Sequence, residues 1–68
     1  MENRLGELRK NQGISQAELG AAMEVSRQTI ISLESGRYNP SLGLAFKIAR
    51  YFDRPIEEIF FDEEDKSK

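Results

Sequence analysis

Neither cysteine nor histidine occurs among the 68 residues of the sequence. Without thiols the chain has no disulfide, and it also lacks the usual ligands for zinc, haem and iron–sulfur clusters. Catalysis usually needs a base, a nucleophile or a metal in convergent geometry, and the serines have no evident base beside them. The acidic run Asp62–Asp65 lacks the spacing and the glycine of a calcium-binding loop. We therefore expect no catalytic residue, no metal site and no cofactor.

The chain also lacks a long apolar run and a charged-then-apolar segment at its start. A membrane-spanning helix needs about 20 predominantly apolar residues, and a secretory signal needs the second pattern. The five glycines and two prolines are too few for a low-complexity chain. We expect one small cytoplasmic domain with no membrane partner and a thin margin of stability.

Charge is unevenly distributed along the chain, whose net charge is −2. Residues 1–55 carry eight Lys and Arg against six Asp and Glu, a net charge of +2. Residues 56–68 carry two Lys against six Asp and Glu, a net charge of −4. The first part can therefore still present a basic face. We predict a folded domain over residues 1–61 and an acidic, solvating tail over residues 62–68.

Apolar residues recur at helical spacing along nearly the whole chain, which predicts an all-α fold. Ser15, Ser26 and Ser41 stand where helix N-caps are needed, and Glu18 completes a capping box with Ser15. Gly13 fits a left-handed cap after the first helix. The apolar stripe of the fourth helix is predicted to be Leu42, Ala45, Ile48, Ala49 and Phe52. The five expected helices are Asn3–Asn11, Gln16–Met23, Arg27–Ser35, Leu42–Phe52 and Pro55–Ile59.

The segment Gln16–Ser35 has the pattern of a helix-turn-helix unit, in which two short helices cross at a steep angle through a tight turn. Where the second helix approaches the first, the unit needs a small residue, and Gly20 supplies it. The inner face is apolar, with Leu19, Val25, Ile30 and Leu33. The second helix of such a unit enters the major groove of DNA by its N-terminal residues. Here those residues are polar: Arg27, Gln28 and Thr29.

One residue of this unit departs from the usual pattern. The first turn position often adopts a left-handed backbone, which favours glycine, but this chain has Glu24 there. A residue with a side chain costs about 1 kcal/mol in that conformation, an amount that the fold can tolerate.

A long specific motif runs from the second helix to the fourth and reads ISQAELGAAMEVSRQTIISLESGRYNPSLGLAFKIA. On this motif the chain resembles the lambda-repressor/Cro-like, XRE-type family of transcriptional regulators over essentially its whole length. It is most similar to short single-domain members, of the kind of the cytolysin-operon repressors of Gram-positive bacteria. The resemblance implies a compact five-helix domain whose helices 2 and 3 form the helix-turn-helix.

The resemblance also implies a set of contacts with double-stranded DNA. Arg27 could bond a guanine and Gln28 an adenine, because their side chains match those base edges. Ile31 suits a thymine methyl, and Ser32 can reach a base or a phosphate. Phosphate contacts are implied for Gln16, Thr29, Arg37, Tyr38 and Asn39. Arg9 and Glu34 match a family pair that ties helix 1 to helix 3.

A purely structural interpretation competes at several of these positions. Arg27 and Gln28 would then be solvated residues of a first helical turn, and Tyr38 would only pack on its loop. The same alternative applies to Ile31 and Ser32. Ser15 and Ser26 are better explained as caps than as ligands, and an exposed Arg9–Glu34 pair would contribute little stability.

A single domain of this kind contacts only a few base pairs, so specificity normally takes a symmetric dimer on half-sites about 34 Å apart. We expect a homodimeric repressor on a palindromic operator, from a bacterium or a phage, without a small-molecule ligand. In short relatives the C-terminal residues pair as a strand with the N-terminus near the dimer contact. Phe60 and Phe61 could do the same, or could only cover the core.

The alternative function is that of an antitoxin, which binds a toxin and regulates its own operon secondarily. Antitoxins of this fold usually devote an extension to the toxin, and only nine residues follow the last helix here. This short extension favours the operator-binding regulator.

Overall fold

Five helices and two short strands make up residues 1–61, the part of the chain that this computed structural model describes. In chain order they are β1 (Glu2–Asn3), α1 (Leu5–Asn11), α2 (Gln16–Met23), α3 (Arg27–Glu34), α4 (Leu42–Phe52), α5 (Ile56–Ile59) and β2 (Phe60–Phe61). The predicted five-helix fold is confirmed. The predicted acidic tail, residues 62–68, lies outside the described residues.

The helix starts follow from local capping. The Ser15 hydroxyl accepts a hydrogen bond from the Glu18 backbone nitrogen at 3.0 Å, and the Glu18 carboxylate accepts one from the Ser15 nitrogen at 2.7 Å. Ser26 and Ser41 cap α3 and α4 in the same way, without the reciprocal carboxylate. After α1, Gly13 has a φ of 73° and lets the chain turn sharply towards α2. The serine caps explain why α2, α3 and α4 begin at the predicted residues.

The two strands pair antiparallel, with Glu2 opposite Phe61 and Asn3 opposite Phe60. This confirms the predicted terminal β pairing. It also explains why α1 begins at Leu5 and not at Asn3, because the backbone of Asn3 belongs to the sheet. The Phe60 side chain is buried in the core, whereas Phe61 is half-buried with the Arg4 guanidinium 5.7 Å from its ring centre.

The core lies where all five helices meet. Its fully buried side chains are Leu5, Leu19, Ile30, Leu33, Ile48 and Ile59. Val25, predicted in the inner face, is only partly buried at the edge of this cluster. No helix within residues 1–61 is long and apolar enough to cross a membrane.

The apolar stripe predicted for α4 is buried in the core except at its first residue, Leu42. Leu42 is 70% exposed, while Ala45, Ile48, Ala49 and Phe52 are buried. A helical side chain points back towards the N-terminus and covers the preceding turn. Leu42 is the first residue of α4, so no helical turn precedes it. Its exposure leaves an apolar side chain at one end of α4.

Candidate functional site

The turn between α2 and α3 is built around Gly20. The Val25 nitrogen donates a hydrogen bond to the Gly20 carbonyl at 2.9 Å. A Cβ on Gly20 would lie 2.9 Å from the Val25 carbonyl oxygen and 3.3 Å from the Ser26 carbonyl carbon. The small residue is thus required where the turn and the N-cap of α3 approach α2 most closely.

Replacing Gly20 with alanine should lower the free energy of unfolding by about 1 kcal/mol, because the added methyl must displace backbone. The control is Gly43→Ala, since an added Cβ at this exposed helical position meets nothing within 4 Å. That change should be neutral or stabilising by roughly 0.5 kcal/mol. Urea unfolding measures both, and a Gly20→Ala variant at least as stable as the wild type would contradict the tight approach.

Glu24 adopts the left-handed backbone predicted for the first turn position, with a φ of 63° and a ψ of 36°. Lys47 of α4 holds this turn from outside: its Nζ lies 2.9 Å from Glu24 Oε1 and donates to the Met23 carbonyl at 3.2 Å. The hydrogen bond from Lys47, supported by its charge, lowers the pKa of the Glu24 carboxyl. The role of Lys47 was not predicted, because the two residues are far apart in the sequence.

The outward face of α3 carries the residues predicted to meet base edges. Arg27 and Gln28 are exposed in its first turn, and Ile31 and Ser32 follow one turn later, half-buried. At 3.6 residues per turn these four lie on the side opposite the buried Ile30 and Leu33. The core therefore fixes the helix and leaves this face accessible.

The loop after α3 lies beside that face. Tyr38 is 47% exposed and lines one surface depression together with Ser26, Gln28, Thr29 and Ser32. The structure thus brings three predicted phosphate or base contacts beside the tyrosine. Thr29 also takes part in the cap, with its hydroxyl 3.0 Å from that of Ser26.

Two further predicted phosphate contacts, Arg37 and Asn39, flank Tyr38 in the loop. Both are exposed. The backbone nitrogen of Arg37 donates a hydrogen bond to the Ser32 carbonyl at 3.2 Å, which anchors the loop to the end of α3. Asn39 Oδ1 accepts a hydrogen bond from the Met1 nitrogen at 3.1 Å. The loop is therefore held at both of these residues beside α3.

Gln16, the remaining predicted phosphate contact, begins α2 and joins a polar cluster between the helices. Its Nε2 donates to Glu34 Oε1 at 3.2 Å. Arg9 donates to the same carboxylate from Nε at 2.7 Å and from Nη2 at 3.3 Å, and its Nη1 donates to the Ile14 carbonyl at 2.9 Å. The sequence paired Arg9 with Glu34 but missed the bond to Gln16.

The Arg9–Glu34 pair is more than an exposed ion pair. The Arg9 and Glu34 side chains are only 11% and 13% exposed. The hydrogen bond to Glu34 raises the pKa of Arg9 above its ordinary value. The pair therefore fixes the end of α3 against α1.

Comparisons with known proteins agree with this geometry. A family model described as helix-turn-helix matches residues 5–59. An uncharacterized HTH-type transcriptional regulator of Archaeoglobus fulgidus is 50% identical over 96% of this chain and 94% of its own. The uncharacterized HTH-type transcriptional regulator YgzD of Bacillus subtilis is 45% identical over 96% of this chain and 98% of its own.

A solved structure is also similar. The restriction-modification controller protein C.AhdI from Aeromonas hydrophila has a TM-score of 0.73 and 35% identity, over 84% of this chain and 83% of its own. The similar proteins come from archaea as well as bacteria, so similarity does not single out the bacterial or phage source that the sequence suggested.

Proposed function

The chain belongs to the XRE-type helix-turn-helix family, and from this premise we propose that it is a sequence-specific regulator of transcription that binds double-stranded DNA. The outward face of α3 carries the proposal, because a buried core holds the helix while its polar first turn stays exposed. The family is one of transcriptional regulators and not of enzymes. The proposed DNA-binding domain spans residues 1–61, followed by an acidic tail, in a cytoplasmic protein.

The proposed base contacts lie along one face of α3. Arg27 donates two hydrogen bonds to O6 and N7 of a guanine, and Gln28 pairs with N6 and N7 of an adenine. Ile31 packs on a thymine methyl, and Ser32 donates to a base or accepts from one. All four project from the outward side of α3 that the core leaves free.

The proposed phosphate contacts flank α3 and fix its register on the duplex without reading sequence. Gln16, at the start of α2, contacts a phosphate of one DNA strand. Thr29 contacts a phosphate beside the bases that α3 reads. Arg37, Tyr38 and Asn39 approach the backbone from the loop, which is anchored to the end of α3.

We further propose a homodimer whose contact is the exposed apolar end of α4. Leu42 and Phe46 are 70% and 46% exposed and one helical turn apart. Next to Phe46 lie side chains of both signs, among them Arg50 and Asp53. In a two-fold symmetric dimer, the positive side chains of one copy can lie opposite the negative side chains of the other. Phe60 is buried in its own core and is not available for this contact.

Replacing Phe46 with lysine should weaken dimerisation about tenfold or more, because it places charge in an apolar contact. The control is Tyr51→Lys, on another side of α4 and 39% exposed, which should dimerise as the wild type does. Sedimentation equilibrium measures both. A wild-type monomer at tens of micromolar would contradict the dimer, and an unaffected Phe46→Lys dimer would contradict this surface.

The proposed dimer represses by occupying a promoter through two symmetric half-sites about one helical turn apart. Selection of bound duplexes from a random DNA library by the full chain tests this proposal. The expected result is enrichment of an inverted repeat with guanine and adenine in each half-site. Recovery of unenriched sequences would contradict sequence-specific binding, and enrichment of a single half-site would contradict the symmetric dimer.

A further inference from the structure

Glu34 accepts hydrogen bonds from two other helices at the side of the proposed DNA interface. Its Oε1 accepts from Gln16 Nε2 at 3.2 Å and from Arg9 Nη2 at 3.3 Å, and its Oε2 accepts from Arg9 Nε at 2.7 Å. Arg9 is in turn fixed by the Ile14 carbonyl. One carboxylate thus links the end of α3 to α1 and to the first residue of α2.

The surroundings of the carboxylate leave it little freedom. A Cβ on Gly6 of α1 would lie 3.2 Å from Glu34 Oε1, so the absence of a side chain there makes room for the carboxylate. The bidentate approach of Arg9 sets the plane of the carboxylate as well as its position. The direction in which Oε1 accepts the Gln16 hydrogen bond is therefore set by the fold.

This arrangement acts on the side-chain amide of Gln16. An amide nitrogen has two hydrogens, and one is given to Glu34. The other remains available to an acceptor outside the cluster, and its direction is set because the first is bound. The long Gln16 side chain thereby loses rotamer freedom before any ligand binds, which lowers the entropic cost of a later contact.

We infer that Glu34 and Arg9 are positioning residues for DNA binding: they hold the Gln16 amide so that its free hydrogen meets a phosphate oxygen at the start of α2. The inference rests on the proposed DNA-binding function. Arg9 also offsets the negative charge that Glu34 would otherwise bring close to the phosphates. The ion pair therefore does more than join α1 to α3.

A double-mutant cycle in DNA affinity tests the inference. The variants are Gln16→Ala, Glu34→Gln and both together, bound to a labelled mixed-sequence duplex at a temperature where circular dichroism shows each variant folded. Gln16→Ala should weaken binding about tenfold, as expected for a hydrogen bond to a charged group. Glu34→Gln should weaken it severalfold, and the double variant no more than Gln16→Ala alone.

If Glu34→Gln does not fold, Arg9→Lys takes its place in the same cycle. Lysine keeps the positive charge but lacks the planar guanidinium whose two nitrogens orient the Glu34 carboxylate. The matched control is Gln12→Ala, an exposed glutamine in the turn after α1, which should leave affinity unchanged. If the fold-losses in DNA affinity of the two single variants multiplied in the double variant, the inference would be overturned. A pair with only a structural role would act independently of Gln16. Failure of the wild type to bind any duplex would instead overturn the proposed function.

Discussion

The double variant Arg27→Ala/Gln28→Ala is expected to bind the selected operator roughly 2–6 kcal/mol more weakly than the wild type, since each base contact contributes about 1–3 kcal/mol. Both side chains are exposed in the first turn of α3 and do not belong to the buried core. The fold should therefore survive, and each single variant should relax the preference at one base position. Fluorescence anisotropy against a series of singly substituted operators measures both effects.

Arg37→Ala is the matched comparison, because it removes a proposed phosphate contact from the exposed loop. It should weaken binding to all sequences alike. It should also reduce the slope of log affinity against log salt concentration by about one, the value for one lost phosphate contact. If the Arg27 and Gln28 variants instead bound every duplex as the wild type does, α3 would not be the reading element.

Replacing Arg9 with methionine is expected to lower the free energy of unfolding by about 3 kcal/mol, because it leaves a largely buried carboxylate without its cation. Glu34 then keeps only the Gln16 amide as a side-chain donor among the described contacts, and the Ile14 carbonyl loses the bond from Arg9. In a domain of this size such a loss is a large part of the total stability. Thermal and urea unfolding of the full chain measure it.

Arg54→Met provides the control for the loss of an arginine as such. Arg54 and Glu58 form an exposed pair of 3.4 Å, with side chains 50% and 52% exposed. Removing an exposed pair of this kind should cost less than about 1 kcal/mol. Equal destabilisation by the two variants would show that burial of the Arg9–Glu34 pair has no energetic consequence.

The parts of the fold that local chemistry determines could be predicted from the sequence. The serines before α2, α3 and α4 lie one residue ahead of their helices, and their bonds reach only three residues along the chain. The strand pairing was predicted from family resemblance. By contrast, the start of α1 was predicted two residues too early, because the backbone of Asn3 pairs with Phe60 in the sheet. No local pattern reports that contact.

The candidate site also has parts that the sequence predicts and parts that depend on packing. The outward face of α3 follows from helical spacing, but the DNA-contact roles came from the family resemblance and remain proposals. The bonds from Gln16 to Glu34 and from Lys47 to Glu24 join residues on different helices. Their existence depends on how the helices pack, which periodicity does not determine. The exposure of Leu42 likewise depends on what covers the first turn of α4.

Titration of the isotope-labelled full chain with the selected duplex, followed by amide NMR shifts, tests whether α3 is the element that reads DNA. The proposed interface predicts the largest changes at Gln16, along residues 27–32 and along residues 37–39. The predicted dimer surface at Leu42 and Phe46 should change little if the dimer is already formed. Large changes confined to α4, α5 or the acidic tail, with α3 unaffected, would contradict a DNA-reading role for α3.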